Sequence, residues 1–291
     1  MSTLQQDIEA LTGFLLDHPR LVVLTGAGIS VASGIPAYRD QRGTWRHSTP
    51  VQEQAFLRDP QARRRYWARS RYGWPLMRDA SPNAAHQALA QLEALGRIEL
   101  LITQNVDGLH QRAGSRKVLD LHGRIDRVRC LTCGASHCRD SVQDLLDSDN
   151  VWPDIATPGA RPDGDIEPVD NLPHMLVLPI CLLCGGDLKP DVVFFGGNVP
   201  AASVGTALDA LDRASGLLVV GTSLTVFSGF RFCRHASRRG LPIAIINPGV
   251  TRADDLAQTT LTSRAAPLLS AALAHLQRAV SPVPSAPGNP S

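Results

Sequence analysis

Apolar positions along this chain fall into two patterns. Leu4, Ile8, Leu11 and Leu15 recur three to four residues apart, which puts them on one helical face and predicts a helix over Leu4–Leu16, with Ser2 or Thr3 as its cap. Directly afterwards Leu21-Val-Val-Leu24 is a short, unbroken apolar run, and similar runs follow at Leu100–Thr103, Leu217–Val220 and Ile243–Ile246. Helical stretches lie between several of these runs, for example Ala84–Leu95 and Ala202–Asp212. Short buried strands alternating with helices predict an α/β fold built on a doubly wound, parallel, Rossmann-like sheet.

Each of the four runs passes straight into a polar or glycine-rich turn: Thr25-Gly26-Ala27-Gly28, Gln104-Asn105-Val106-Asp107, Gly221-Thr222-Ser223 and Asn247-Pro248-Gly249. In open α/β sheets the ligand lies outside the carboxyl ends of the strands, so these turns are expected to converge on one cleft. Two segments break the alternation. Gln41–Asp79 is arginine-rich and reads as helical, and Cys130–Cys184 is rich in Pro, Asp and Gly and holds two cysteine pairs. The expected organisation is a large Rossmann-like domain from residues 1–40, 80–125 and 190–278. Residues 41–79 form a helical part of a small domain, 126–189 an inserted zinc-binding module, and 279–291 a disordered tail of mostly Pro, Ser, Ala and Gly.

Composition narrows the function. With 43% hydrophobic and 19% charged residues the chain is ordinary for a globular enzyme. A net charge of +2 gives no argument for direct nucleic-acid binding. Lys117 and Lys189 are the only lysines among the basic residues, an arginine bias that says more about base composition than about chemistry. No apolar run is long enough to span a membrane, and the N-terminus lacks the basic start and apolar core of an export signal, so the cytoplasm is the expected compartment.

Cys130-x-x-Cys133 and Cys181-x-x-Cys184 supply four thiolates, the donor set of a closed tetrahedral zinc site of structural type. The 47 residues between the pairs exceed the usual spacing, which requires an extra loop, and His137 and Cys138 are rival ligands nearby. Cys233, in a helical stretch, reads as a core residue. Thr25-Gly-Ala-Gly-Ile-Ser30 is an incomplete dinucleotide fingerprint, because Val31 stands at the third glycine position. Asn105 and Asp107 form a polar pair at a strand end, which an Asx turn would also explain. His122 follows the strand-like Val118–Leu121 and precedes a glycine; an imidazole there can accept a proton near neutral pH.

In combination and in order, these motifs resemble the sirtuin (Sir2) family of NAD-dependent protein deacylases. The resemblance is carried by Thr25–Ser30 with Gly34-Ile-Pro-Ala-Tyr-Arg-Asp40, Thr103-Gln-Asn-Val-Asp-Gly-Leu-His110, Leu121-His-Gly123, Lys189–Gly197, Gly221-Thr-Ser223 and Asn247-Pro248. It runs from about residue 5 to residue 275. Arg-Tyr-Gly-Trp74 and the long loop between the cysteine pairs look closest to the class II subgroup of mitochondrial fourth-type sirtuins and their bacterial relatives.

The resemblance implies His122 as the catalytic base, with Asn105 orienting the nicotinamide ribose and a water. It implies NAD contacts from Gly26, Ala27, Gly28, Ser33, Ile35, Pro36, Tyr38, Arg39, Gln104, Asn105 and Asp107. On the adenosine side it implies Gly221, Thr222, Ser223, Asn247, Pro248, Gly249 and Ala265. Val193 and Phe194 belong to a loop that would take the peptide by strand addition, and His110 would be structural. The family often has Asp where this chain has Ala37, and Glu where it has Gly197. Tyr66 and Arg69 have the spacing of a pair that selects acidic acyl groups in one branch, although a solvated basic helix face is the better explanation of the run.

The implied reaction consumes NAD and releases nicotinamide, O-acyl-ADP-ribose and free lysine, with acylated-lysine proteins as partners and a monomer as the working form. Two rival readings keep the cofactor: mono-ADP-ribosyl transfer to a protein, and a non-catalytic NAD-binding sensor module.

Overall fold

The computed structural model describes residues 3–38, 40, 44, 50–154, 161–166 and 176–280. Of the tail expected at 279–291, residues 279 and 280 end α9 instead, and the rest, the alternative cap Ser2 and the contact expected from Arg39 lie outside them. In chain order the elements are α1 (Thr3–Asp17), β1 (Leu21–Thr25), a 3-10 helix (Ala27–Ser33), α2 (Glu53–Arg58), α3 (Pro60–Asp79), α4 (Ala84–Ala94), β2 (Ile98–Thr103), α5 (Leu109–Arg112) and β3 (Val118–Asp120). Then come β4 (Gly123–Cys130), β5 (Ser136–Cys138), α6 (Arg139–Ser148), β6 (Leu188–Val192), α7 (Ala201–Arg213), β7 (Gly216–Val220), α8 (Phe227–Arg238), β8 (Ile243–Ile246), β9 (Thr259–Leu261) and α9 (Ala265–Val280).

Six strands form a sheet in the order β3-β2-β1-β7-β8-β9, and every neighbouring pair is parallel. β1, β7 and β8 are buried throughout. Successive residues of each serve opposite faces, as strand geometry dictates. Val23, Leu218, Val220, Ala244 and Ile246 pack beneath α1, α4 and α9. Val22, Leu24, Leu217, Val219, Ile243 and Ile245 pack beneath α7 and α8. This is the doubly wound arrangement, and it explains why the strands read as continuous apolar runs. Chain order reverses between β1 and β7, which opens a crevice at their carboxyl ends.

A second, three-stranded antiparallel sheet has the order β5-β4-β6. A third apolar cluster joins it to α2, α3 and α6 through Phe56, Tyr66, Trp67, Trp74, Val128, Val142, Leu146 and Leu188. Arg139 is fully buried there, its guanidinium 5.4 Å from the Trp67 ring and 5.5 Å from the Trp74 ring, and it donates to the Ser70 carbonyl at 3.1 Å. Burial lowers its pKa to about 10, which still leaves it charged at neutral pH. β4 starts one residue after His122, and β6 ends beside Val193, whose amide donates to the His122 carbonyl at 2.9 Å. The strands approach so closely at this junction that a Cβ on Gly123 (φ +80°) would collide with the Asp191 carbonyl oxygen.

Candidate active site

The four strand-end turns converge, as their positions in the sequence predict, on one cleft of about 1080 Å³. Its floor is the reversal point. Gly28 donates to the Gly221 carbonyl at 2.8 Å and Gly26 to the Val220 carbonyl at 3.1 Å. A Cβ on Gly28 would lie 2.7 Å from the Gly221 oxygen, so two stretches of bare backbone meet here and leave the cleft floor without side chains. The segment after Gly26 is a 3-10 helix rather than an α-helix. Gln104 ties the strand ends together by donating to Thr222 Oγ1 at 3.0 Å and to the Thr25 carbonyl at 3.2 Å.

Three polar side chains interlock on one wall. Ser30 donates to Asp107 Oδ2 at 2.7 Å, and Asn105 Nδ2 donates to Ser30 Oγ at 3.0 Å and to the Gly26 carbonyl at 3.2 Å. Asp107 Oδ1 also accepts from the Leu109 amide at 2.9 Å, which is an Asx turn. The turn and the site are therefore one arrangement: one carboxylate oxygen builds the loop and the other faces Ser30.

His122 stands on the opposite side, where its imidazole is held at both nitrogens. Nδ1 lies 2.9 Å from the Gln104 carbonyl oxygen and Nε2 lies 2.9 Å from Ser228 Oγ. A carbonyl can only accept, so this network assigns the proton to Nδ1 and the lone pair to Nε2, where the Ser228 hydroxyl donates. Burial lowers the His122 pKa, the Gln104 bond works against that, and the Arg231 charge lowers it further. The ring is thus a neutral proton acceptor at physiological pH.

Ile35, Pro36 and Tyr38 line the cleft, with Tyr38 edge-on to Phe195 at 5.9 Å between ring centroids. Val193 and Phe194 line the facing side, and the Phe194 amide donates to Glu53 at 3.0 Å. Ala27, Ser223, Asn247, Pro248, Gly249 and Ala265 line the far end. Asn247 closes its own turn by donating to the Gly249 carbonyl at 2.7 Å.

Three expected contacts are placed elsewhere. Ser33 does not line the cleft; its hydroxyl accepts from Asn83 at 2.9 Å. Tyr66 is buried behind the wall against Phe194, at 5.2 Å between centroids. Arg69 also stands off the lining, held by Asp165 through bonds of 2.8 to 3.1 Å. Sequence reasoning missed Ser30, Ser228, Arg231 and Asp163, all on the cleft wall. Ser30 ends the glycine turn, where Ser33, one turn further on, was its rival. Asp163 was out of reach, because it arrives from the insertion between the cysteine pairs. Burial raises its carboxyl to about 6, assisted by Asp165 and opposed by Arg161.

The sulfurs of Cys130, Cys133, Cys181 and Cys184 lie within 4.8 Å of one another, with Cys130–Cys184 at 3.5 Å and Cys133–Cys181 at 3.7 Å. A tetrahedral zinc with Zn–S bonds of about 2.3 Å requires sulfurs about 3.8 Å apart, so the four are positioned to hold one structural ion. The amides of Cys133 and Thr132 point at the Cys130 sulfur and lower its pKa to about 6, which favours the thiolate. His137 stands outside the cluster, its Nε2 3.3 Å from the Cys181 sulfur, and Cys138 faces Asp140 instead. Cys233 is fully buried in α8.

A model of the Sir2 family matches residues 26–228. An NAD-dependent protein deacetylase 2 of Bradyrhizobium diazoefficiens is 52% identical over 269 residues, covering 92% of this chain and 97% of the relative. An NAD-dependent protein deacylase SIR4 of Monosiga brevicollis is 46% identical over 255 residues, covering 86% of this chain and 82% of the relative. A solved Sir2–p53 peptide–NAD+ complex superposes with a TM-score of 0.74 at 30% identity, over 94% of this chain and 99% of that one.

Proposed function

The chain belongs to the Sir2 family, and on that premise we propose that it is an NAD-dependent protein lysine deacetylase or deacylase. The observation that carries this reading is the convergence of the Ser30–Asn105–Asp107 cluster and a neutral imidazole on one cleft at the reversal point of the sheet. A module that only bound the dinucleotide would have no use for that imidazole.

Bound in the cleft, NAD would supply a ribose carbon to which the acyl oxygen bonds as nicotinamide leaves, and a water would be consumed in releasing the lysine. The chain's own residues do the rest. Gly26, Ala27, Gly28 and Gly221 bring backbone to the phosphates, and Thr222, Ser223, Asn247, Pro248, Gly249 and Ala265 hold the adenosine side. Ile35, Pro36 and Tyr38, with Arg39, cover the nicotinamide end. Asp107 accepts from the carboxamide NH2 and Asn105 orients the ribose and a water. His122 takes a proton at Nε2 from a ribose hydroxyl, which frees that oxygen to attack the acyl carbon. The products are nicotinamide, O-acyl-ADP-ribose and free lysine, and no hydride moves.

Acylated-lysine proteins are the proposed partners, entering along Val193 and Phe194, with a monomer as the working form and the cytoplasm as the compartment. Among the described residues no helix is long and apolar enough to cross a membrane. The proposed division is the one expected above, into a large domain, a helical part and a zinc module. With Arg69 clamped by Asp165, an acidic acyl group finds no free guanidinium there, so neutral acyl groups are the expected preference.

The test is mass spectrometry of the protein with NAD and acetyl-, succinyl- and longer-acyl-lysine peptides, beside His122→Ala. Deacylation with O-acyl-ADP-ribose, lost in the variant, is the expected result. ADP-ribosylated protein without deacylation would replace the reading with transfer, and NAD binding without turnover would reduce it to a sensor.

A further inference from the structure

His122 is gripped from two elements that reach it from opposite sides of the crevice. Gln104, just past the end of β2, accepts a hydrogen bond from Nδ1–H through its carbonyl, and Ser228, in the first turn of α8, faces Nε2 at 2.9 Å. The first turn of α8 is set down hard against Gln104. A Cβ on Gly229, the next residue, would lie 2.6 Å from Gln104 Oε1. Arg231, one turn further along α8, also lines the cleft, and it is the charged group whose field is felt at His122.

We propose that Ser228 is a positioning residue for the base: its hydroxyl holds the lone pair of Nε2 toward the cleft and yields that place to the ribose hydroxyl when the dinucleotide binds. The proposal rests on His122 being the base. Its chemistry follows from the donor inventory. Toward the neutral ring the hydroxyl donates to Nε2, and toward a protonated ring its oxygen accepts instead, so the tautomer is set by the accept-only Gln104 carbonyl and the Ser228 bond holds the ring's orientation. The Arg231 charge opposes protonation of the ring, and the Gln104 carbonyl favours it. Ser228 therefore prevents the ring from rotating about its hydrogen bond to Gln104. No net proton changes hands until the ribose hydroxyl replaces the serine.

The experiment follows the His122 imidazole by 15N NMR across pH in the NAD-free protein, the signal being assigned by its loss in His122→Ala. Wild type, Ser228→Ala and Ser228→Thr are compared, and the pH profile of kcat/KM is measured on each. Wild type is expected to show the Nδ1-protonated tautomer. Ser228→Ala is expected to displace the Nε2 resonance of the neutral ring, which loses its hydrogen-bond donor, and to lower kcat/KM by about three- to tenfold through the freed ring orientation. Ser228→Thr, which restores the hydroxyl, should return both to wild type.

Equal melting temperatures across the three proteins exclude a general packing effect. An unmoved Nε2 resonance in Ser228→Ala overturns the proposal, and so does a displaced resonance with unchanged kcat/KM. If His122→Ala still deacylates, the base reading itself falls and takes the catalytic half of this proposal with it, while the NMR titration reads the hydrogen bond independently.

Discussion

Ser30 donates its hydroxyl proton to Asp107, 77 positions further along the chain, across a 2.7 Å hydrogen bond that joins the first strand-end turn to the second. The bond leaves Asp107 oriented before any ligand arrives, with Asn105 held against the same serine. A site whose polar groups are preset loses less ordering entropy on binding.

Ser30→Ala is therefore expected to raise the Kd for NAD about tenfold, equivalent to about 1.4 kcal/mol, with the melting temperature little changed. Asp107→Asn, which removes the charged acceptor, should cost more, roughly a hundredfold. Calorimetric titration of NAD reads both, and an unaltered affinity in Asp107→Asn would remove that residue from the proposed nicotinamide contact.

Two glycine substitutions should have opposite signs. Gly28→Ala drives a methyl group to 2.7 Å from the Gly221 oxygen, where only backbone can give way. A loss of about 1–3 kcal/mol in stability is expected, together with loss of NAD binding. Gly13 lies inside α1, where an added methyl group would meet nothing within 4 Å. Gly13→Ala should stabilise the fold by about 0.5–1 kcal/mol and leave activity intact. Denaturant melts of the two variants check both signs.

Removing the metal should loosen one end of the molecule and spare the parallel sheet. With a strong chelator, the fluorescence of Trp67 and Trp74, which pack in the cluster beneath the antiparallel sheet, is expected to change before far-ultraviolet circular dichroism falls. Elemental analysis should give one zinc per chain in wild type and in Cys138→Ser, and none in Cys181→Ser. Zinc retained at full stoichiometry in Cys181→Ser would exclude the four-sulfur site.

Acid should destabilise the fold through a buried histidine pair. His86 and His110 lie 4.8 Å apart between ring centroids, and His110 Nε2 is 3.0 Å from Thr25 Oγ1. Burial lowers the His86 pKa to about 4 and holds that of His110 well below its usual value, with the His86 charge adding to the latter. Above the unfolded value of about 6.5 both states are neutral and the pair contributes no pH dependence. Below it the unfolded chain takes up protons that the folded chain refuses, so stability falls as the pH drops from about 6.5 toward 4. Melting temperatures across that window should decline, and His86→Gln, which keeps a side chain suited to the capping position, should flatten the slope.

The parts of the fold legible in the sequence are those whose burial is uniform. β1, β7 and β8 are covered on both faces and read as unbroken apolar runs. β9, Thr259–Leu261, is a three-residue edge strand with a half-buried and an exposed threonine, and nothing in its pattern separates it from a loop. Within the site, turns that follow strands directly were readable because position alone assigns them to the cleft. Choosing between Ser30 and Ser33 was not, since they sit one turn apart on a short 3-10 helix whose pitch decides which of them meets Asp107 and which meets Asn83. Arg69 was misleading for a different reason. Its spacing from Tyr66 suggests a ligand clamp, but its partner Asp165 lies 96 positions away inside the insertion, beyond any local pattern.

The insertion leaves the chain immediately after His122 and rejoins it immediately before Val193, with Gly123 and Val192 paired across the junction. Its two ends are thereby fixed to the proposed base and to the proposed peptide-binding loop, while between the cysteine pairs α6 packs on α3 and Asp165 holds Arg69. Such a module can be varied in the course of evolution, or regrafted by design, with the reaction machinery untouched as long as both junction residues and these contacts with α3 are kept. A new tip brought in this way arrives already aimed at the cleft, as Asp163 does, which makes this the place where a lineage can alter what the enzyme accepts without rebuilding how it works.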